Sequence, residues 1–256
     1  VSFAPDSTLV SRLHPSPNVE PRRPGFTIDT LILHYTGLPD AATAIDVLSR
    51  PDCKVSCHYV LDLDGTVIQM VPEALRAWHA GLSVWHGVTD INSCSIGIEI
   101  QNVGHTAGYP DFPDVQMGVL EALCRDICAR NTIRPERVLA HSDIAPARKH
   151  DPGEKLDWKR LAQAGVGHWV SPIALDPADV GIGRGATDRQ VSEMQALLAS
   201  YGYGVPQTGC LDAATEQVVT AFQRHFRPAR VDGCIDASCL ATIGRLIAAL
   251  PASRVA

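Results

Sequence analysis

Apolar and polar positions divide the chain into two parts with different periods. Between about residue 27 and 164, short apolar or alternating runs are interspersed with helical stretches; beyond 185 the pattern is helical throughout. Thr27 to Tyr35 reads as a buried strand, and Ala41 to Ser49 as a short helix with Asp40 in the N-cap position. His58 to Leu63 and Thr66 to Val71 flank Asp64-Gly65, which predicts a hairpin. Ser95 to Gln101 reads as a third strand, with Glu99 set among isoleucines. Asp114 to Asn131 places Leu120, Leu123, Cys124, Ile127 and Cys128 on one stripe of an amphipathic helix. A strand over Arg137 to Ala140 and a helix over Leu156 to Ala164 close this part.

The first 25 residues carry five prolines and little periodicity, so they are expected to lie extended on the surface. Arg76 to Cys94 is irregular and rich in aromatic and histidine residues, which suggests a groove wall. Val170 to Gly185, with its prolines and glycines, reads as a linker. Three helices follow, Asp188 to Tyr201, Asp212 to Phe226 and Asp236 to Leu250, each opened by an aspartate that can cap it. The connections before the second and third helices echo each other, as Gly209-Cys210-Leu211-Asp212-Ala213 and Gly233-Cys234-Ile235-Asp236-Ala237. The expected division is a first domain over 1–172, a linker over 173–185 and a three-helix module over 186–256, a size that suits binding rather than catalysis.

Composition narrows the function. With 45% apolar residues the chain has ample material for a packed core, and a net charge of −6 argues against a nucleic-acid surface. No run approaches the roughly 18 apolar residues of a membrane span, and the N-terminus lacks the layout of a signal peptide. Val1 in place of methionine fits a processed chain, which keeps an exported protein in view. Eight cysteines form no CxxC knuckle. Cys124 and Cys128 are expected as small apolar core residues.

The densest chemistry lies in Arg134 to Trp158, where polar, loop-like, proline-punctuated sequence follows a strand-like run. His141 and Asp151 are ten residues apart, and each side chain is a potential zinc ligand. A third ligand must come from elsewhere, and His34, at the end of the apolar run Leu31-Ile32-Leu33, is the best candidate. Three protein ligands leave a position for water, the arrangement of a catalytic rather than a structural zinc site.

LILHYTG at 31 to 37, AWHAG at 77 to 81, SIGIEI at 95 to 100 and AHSDIAPARKHDPG at 140 to 153 together resemble the zinc-dependent N-acetylmuramoyl-L-alanine amidases of the bacterial AmpD/AmiD type, relatives of the peptidoglycan recognition proteins. The C-terminal blocks MQALLASYGY, GCLDAATEQVVTAFQRHF and VDGCIDA resemble the three-helix peptidoglycan-binding module of cell-wall hydrolases. The first resemblance implies an α/β fold with a mixed β-sheet flanked by helices. It also implies zinc ligands His34, His141 and Asp151, and a catalytic pair Glu99 and Lys149. Peptidoglycan or muropeptide fragments are the implied partners, and the periplasm or cell envelope the implied location, with a cytoplasmic recycling role as the alternative.

Further candidates for substrate binding are Tyr35, His58, Trp78, His79, Asn92 and Arg148. Trp78 and His79 are read as stacking on a sugar or holding the stem peptide, against simple packing, and His58 as either site lining or core. Arg148 offers a bidentate fork for a substrate carboxylate. His150 alternates away from Lys149 and Asp151 and is read as surface. Cys210 and Cys234, at equivalent places in the echoed turns, are a candidate disulfide in an oxidising envelope. The rival functions are a non-catalytic peptidoglycan recognition protein and a zinc peptidase that cuts within the stem peptide.

Overall fold

The structure is a computed structural model, described here for residues 3–250. Its strands are β1 (Arg12–Leu13), β2 (Val19–Pro21), β3 (Thr30–Tyr35), β4 (Tyr59–Leu61), β5 (Val67–Gln69), β6 (Leu75–Ala77), β7 (Ser95–Ile100) and β8 (Val138–Ala140). Its α-helices are α1 (Ala41–Ser49), α2 (Ile91–Cys94), α3 (Asp114–Asn131), α4 (His141–Ile144), α5 (Trp158–Gln163), α6 (Arg189–Tyr201), α7 (Ala213–Phe226) and α8 (Ala237–Ala248). Among the described residues, six strands form a mixed sheet in the order β1-β5-β4-β7-β3-β8, and β2 pairs with β6 in a separate ribbon. β4, β7, β3 and β8 run parallel, while β5 is antiparallel to β4 across the Asp64-Gly65 turn.

A parallel sheet covered on both faces needs strands that are apolar on both sides. The runs TLILHY and SIGIEI meet that need, since β3 and β7 are almost wholly buried. Alternation then sorts their side chains. Leu31, Leu33, Ile96, Ile98 and Ile100 pack under α3 with Leu120, Leu123, Cys124 and Ile127. Ile32 turns to the opposite face and joins a cluster with Trp85, Leu139, Ile144 and the C-terminal helices. α1 closes that face beside it, through Ala41, Ile45 and Leu48 against Val60 and Ile68.

The helix ends follow the local chemistry. The side chain of Asp40 caps α1 by accepting from the Thr43 N–H, and Asp188, Asp212 and Asp236 cap α6, α7 and α8 in the same way. Three expectations change. Residues before 25 do more than lie on the surface: β1 extends the main sheet, β2 makes the ribbon, and the Arg22 guanidinium penetrates to the carbonyls of Glu73, Asn92, Ser93 and Ser95. The stretch after Ala140 is not all loop, because His141 opens the single turn α4. Cys210 and Cys234 are not joined, all eight cysteines being free thiols, and the echoed turns serve instead to pin Gln195 and Gln223 side chains.

Candidate active site

Register brings the site together. Across the parallel pair β3/β7, His34 stands opposite Glu99, and Glu99 stands opposite Val60 of β4. Leu33 pairs with Ala140 of β8, so the next residue, His141, leaves its strand beside His34. Asp151 returns to the same point after a turn, its carbonyl accepting from the Ser142 N–H. Nδ1 of His34, Nδ1 of His141 and Oδ2 of Asp151 lie 2.8, 3.1 and 2.9 Å from one another. All three residues are buried.

The surrounding bonds decide which atoms carry hydrogens. Nε2 of His141 is 3.1 Å from the carbonyl of Ala80, which can only accept, so the proton is on Nε2 and Nδ1 presents a lone pair. The Ser95 hydroxyl donates to the Ile91 carbonyl at 2.7 Å and therefore accepts from Nε2 of His79 at 3.2 Å. Nδ1 of His79 in turn accepts from Nε2 of His34 at 3.0 Å, which leaves a lone pair on Nδ1 of His34 as well. Two imidazole lone pairs and a carboxylate oxygen thus converge with no proton between them. That arrangement is repulsive by itself and fits a divalent cation bound by nitrogen and oxygen donors.

Electrostatics agree. Burial, helped by neighbouring His141, lowers the pKa of His34 to about 4, so its imidazole is neutral near pH 7. Burial opposes ionisation of Asp151, but the charge and hydrogen bonds that His141 and His34 supply when protonated outweigh it and hold the carboxyl below its ordinary range. Glu99 goes the other way: burial and then the Asp151 charge push its carboxyl well above the usual value, and Lys149 pulls it back in part. Oε2 of Glu99 is enclosed and has no hydrogen-bond partner among the described residues.

Of these groups, Glu99, His141, Asp151 and Lys149 line a cavity of about 380 Å³. Glu99, His79, His141, Asp151 and Lys149 form its polar side, and Ala44, Val47, Leu48 and Val55 its apolar wall. Tyr35, Trp78 and Arg148 line it too, and His150 stands exposed at its rim. Tyr35 donates to Nδ1 of His105 at 3.1 Å, whose other nitrogen contacts Glu154.

Four expectations for substrate contact are corrected or refined. Asn92 does not line the cavity; its Oδ1 accepts from the N–H groups of His79 and Ala80 and shapes that turn. His58 is wholly buried, its Nδ1 accepting from the Gly97 N–H and its Nε2 donating to the Leu75 carbonyl, so it is core. His79 does reach the cavity, but its nitrogens bond His34 and Ser95, so it orients the His34 imidazole. Arg148 directs Nε and Nη2 at the carbonyls of Leu82 and Ala80, and so presents no free fork.

The sequence reading passed over Gly97 and Ser95. A Cβ at Gly97 would lie 2.5 Å from the His79 ring, so only glycine lets that imidazole rest on β7. A glycine inside an otherwise continuous apolar strand is the signal that a close approach occurs there.

Comparison with known proteins agrees with this geometry. Residues 24–154 match the N-acetylmuramoyl-L-alanine amidase family, and residues 187–243 match a putative peptidoglycan binding domain. The chain is 39% identical over 233 residues to the N-acetylmuramoyl-L-alanine amidase AmiD of Escherichia coli strain K12, covering 86% of this chain and 82% of that protein. The solved complex of E. coli AmiD with anhydro-N-acetylmuramic acid-L-Ala-D-gamma-Glu-L-Lys superposes with a TM-score of 0.73 at 36% identity, over 88% of this chain and 91% of the other. AMPDH3 of Pseudomonas aeruginosa gives 0.74 at 33% identity, over 88% and 93%. With a matched domain that contains the converging His34, His141 and Asp151, and a relative aligned over most of both lengths, this chain belongs to the N-acetylmuramoyl-L-alanine amidase family.

Proposed function

We propose that the chain carries out its family's reaction as a zinc enzyme, hydrolysing the amide between the lactyl group of N-acetylmuramic acid and L-alanine. His34, His141 and Asp151 would hold the ion. The observation that carries this reading is the convergence of two imidazole lone pairs and one carboxylate oxygen on a cavity that also contains Glu99. A zinc ion there supplies Lewis acidity, activating water and polarising a carbonyl.

The protein's own groups divide the remaining work. Glu99, whose carboxyl burial and the Asp151 charge make more basic than an exposed one, accepts in its ionised form a proton from the attacking water and passes it to the leaving amine of L-alanine. Lys149 offers an ammonium to the developing oxyanion, a contribution of about 3 kcal/mol for one such donor. Trp78 and Tyr35 bound the cavity and position the muropeptide, whose apolar parts meet Ala44, Val47 and Leu48.

Residues 186–256 act as a peptidoglycan-binding domain, joined through 173–185 to an amidase domain over 1–172. The match of residues 187–243 and the substrate named in the AmiD complex support peptidoglycan or its muropeptides as partner and the cell envelope as location. No helix among the described residues is long and apolar enough to cross a membrane.

The test pairs metal content with product mass spectrometry on purified cell wall and on anhydro-muropeptide. The expected result is about one zinc per chain, release of a peptide that begins with L-alanine, and loss of turnover on chelation. Full turnover by metal-stripped protein overturns the zinc reading, and products shortened within the stem peptide overturn the bond assignment.

A further inference from the structure

The C-terminal helices share a continuous apolar cluster with the sheet, and next to one of its members, Ile144, is a buried carboxylate that the proposed chemistry does not use. Asp143 lies in α4, two residues after His141, and is fully buried. Its Oδ2 accepts from the backbone N–H of Ala140 at 2.8 Å. Its two other donors come from the far end of the chain. The Tyr203 hydroxyl reaches Oδ1 at 2.6 Å, and Nδ1 of His225 reaches Oδ2 at 2.6 Å.

Both donors are held firmly. The His225 ring stacks on Trp158 with centroids 3.7 Å apart, and Tyr203 packs edge-on against Trp85 at 4.9 Å. Backbone bonds tie the same parts together, from the Val84 N–H to the Ile144 carbonyl and from the His86 N–H to the Gly202 carbonyl. A single turn such as α4 is too short to hold its own position, because helix nucleation is unfavourable. Its placement therefore depends on what saturates Asp143, and a buried carboxylate that lost its donors would have to move or draw in water.

We propose that Tyr203 and His225 are positioning residues for the metal centre. By saturating Asp143 they fix α4, and with it the ligand His141, so the C-terminal module is a structural member of the active site. The inference rests on the reading of His34, His141 and Asp151 as metal ligands.

The test uses the full chain and the variants Y203F, H225A and H225N. Zinc affinity is measured by competition with a chromogenic chelator, beside far-ultraviolet circular dichroism. Y203F and H225A are expected to bind zinc about 10-fold to 100-fold more weakly than the parent, and H225N, whose amide N–H falls near Nδ1, to stay within about threefold. Should H225A fail to fold, Y203F decides, since it removes one oxygen and keeps the ring against Trp85. Parent-like affinity in Y203F overturns the proposal, as does an H225N loss equal to that of H225A. A parent that binds no zinc overturns the metal reading and this inference with it, whereas a zinc-binding parent with equally strong variants overturns the inference alone.

Discussion

His34 and Glu99 are register partners on adjacent parallel strands, and both side chains point to the sheet face that carries the cavity. That pairing sets a buried carboxyl beside one of the three converging donors without requiring any loop to hold it. Glu99→Gln keeps the size of the side chain and removes its proton chemistry. The expected result is a fall in kcat of about 10²-fold to 10⁴-fold at unchanged zinc content. A kcat within a factor of about three of the parent would remove Glu99 from the mechanism.

Gly97 faces the His79 ring on the same strand. In Gly97→Ala the new methyl overlaps that ring and must displace it from Nε2 of His34. Zinc affinity should fall by about 10-fold to 100-fold, the usual effect of losing a group that orients a ligand. Equilibrium dialysis against buffered zinc measures it, and retention of parent affinity would mean that His79 plays no part.

Acid should destabilise the metal-free protein in a defined window. Burial, with neighbouring positive charge, lowers His34 to about 4 and His58 to about 3, and holds His79 well below its ordinary value. In the unfolded chain these imidazoles titrate near 6.5, so between that pH and the folded values the unfolded state binds more protons. Their contribution is complete above about 6.5 and is lost as the pH falls toward the folded values, at about 2 kcal/mol per histidine by pH 5. Thermal melts at pH 7.5 and pH 5 should therefore differ, with the lower Tm at pH 5. Equal values would contradict the burial argument.

Arg22 donates to four backbone carbonyls from Glu73, Asn92, Ser93 and Ser95. Arg22→Met fills similar space and leaves those acceptors without partners. A loss of about 3 kcal/mol is expected in urea denaturation, from several buried acceptors left unsatisfied at once. A loss under about 1 kcal/mol would show that water replaces the guanidinium.

Chelation and the Tyr203 and His225 variants bear on different claims. The first asks whether an ion is needed for turnover, and the second whether the C-terminal helices hold its ligand in place.

Much of the fold was legible because local patterns and tertiary demands coincide. α1 and α3 begin and end where periodicity and the Asp40 cap place them, and the Asp64-Gly65 hairpin forms as its turn chemistry predicts. His34, His141 and Asp151 were legible as candidate ligands because metal chemistry restricts residue types, and they do converge. The parts of His58, Asn92 and Arg148 were not legible for a common reason: a polar side chain near a site in sequence says nothing of which backbone groups will claim its hydrogen bonds. The candidate Cys210–Cys234 disulfide failed similarly, since equivalence of two turns does not bring two sulfurs together.

The sequence by itself determined the longer helices, the central strands β3, β4, β5, β7 and β8, and the kinds of atom able to bind a metal, because these depend on period, capping and donor chemistry along the chain. Tertiary structure alone decided three things: that His79 and Ser95 set the tautomer of His34, that Gly97 makes room for the His79 ring, and that Tyr203 and His225 close on Asp143 from 60 and 82 residues away. Hydrogen-bond partners across such separations are chosen by sheet register and helix docking, which no local pattern encodes.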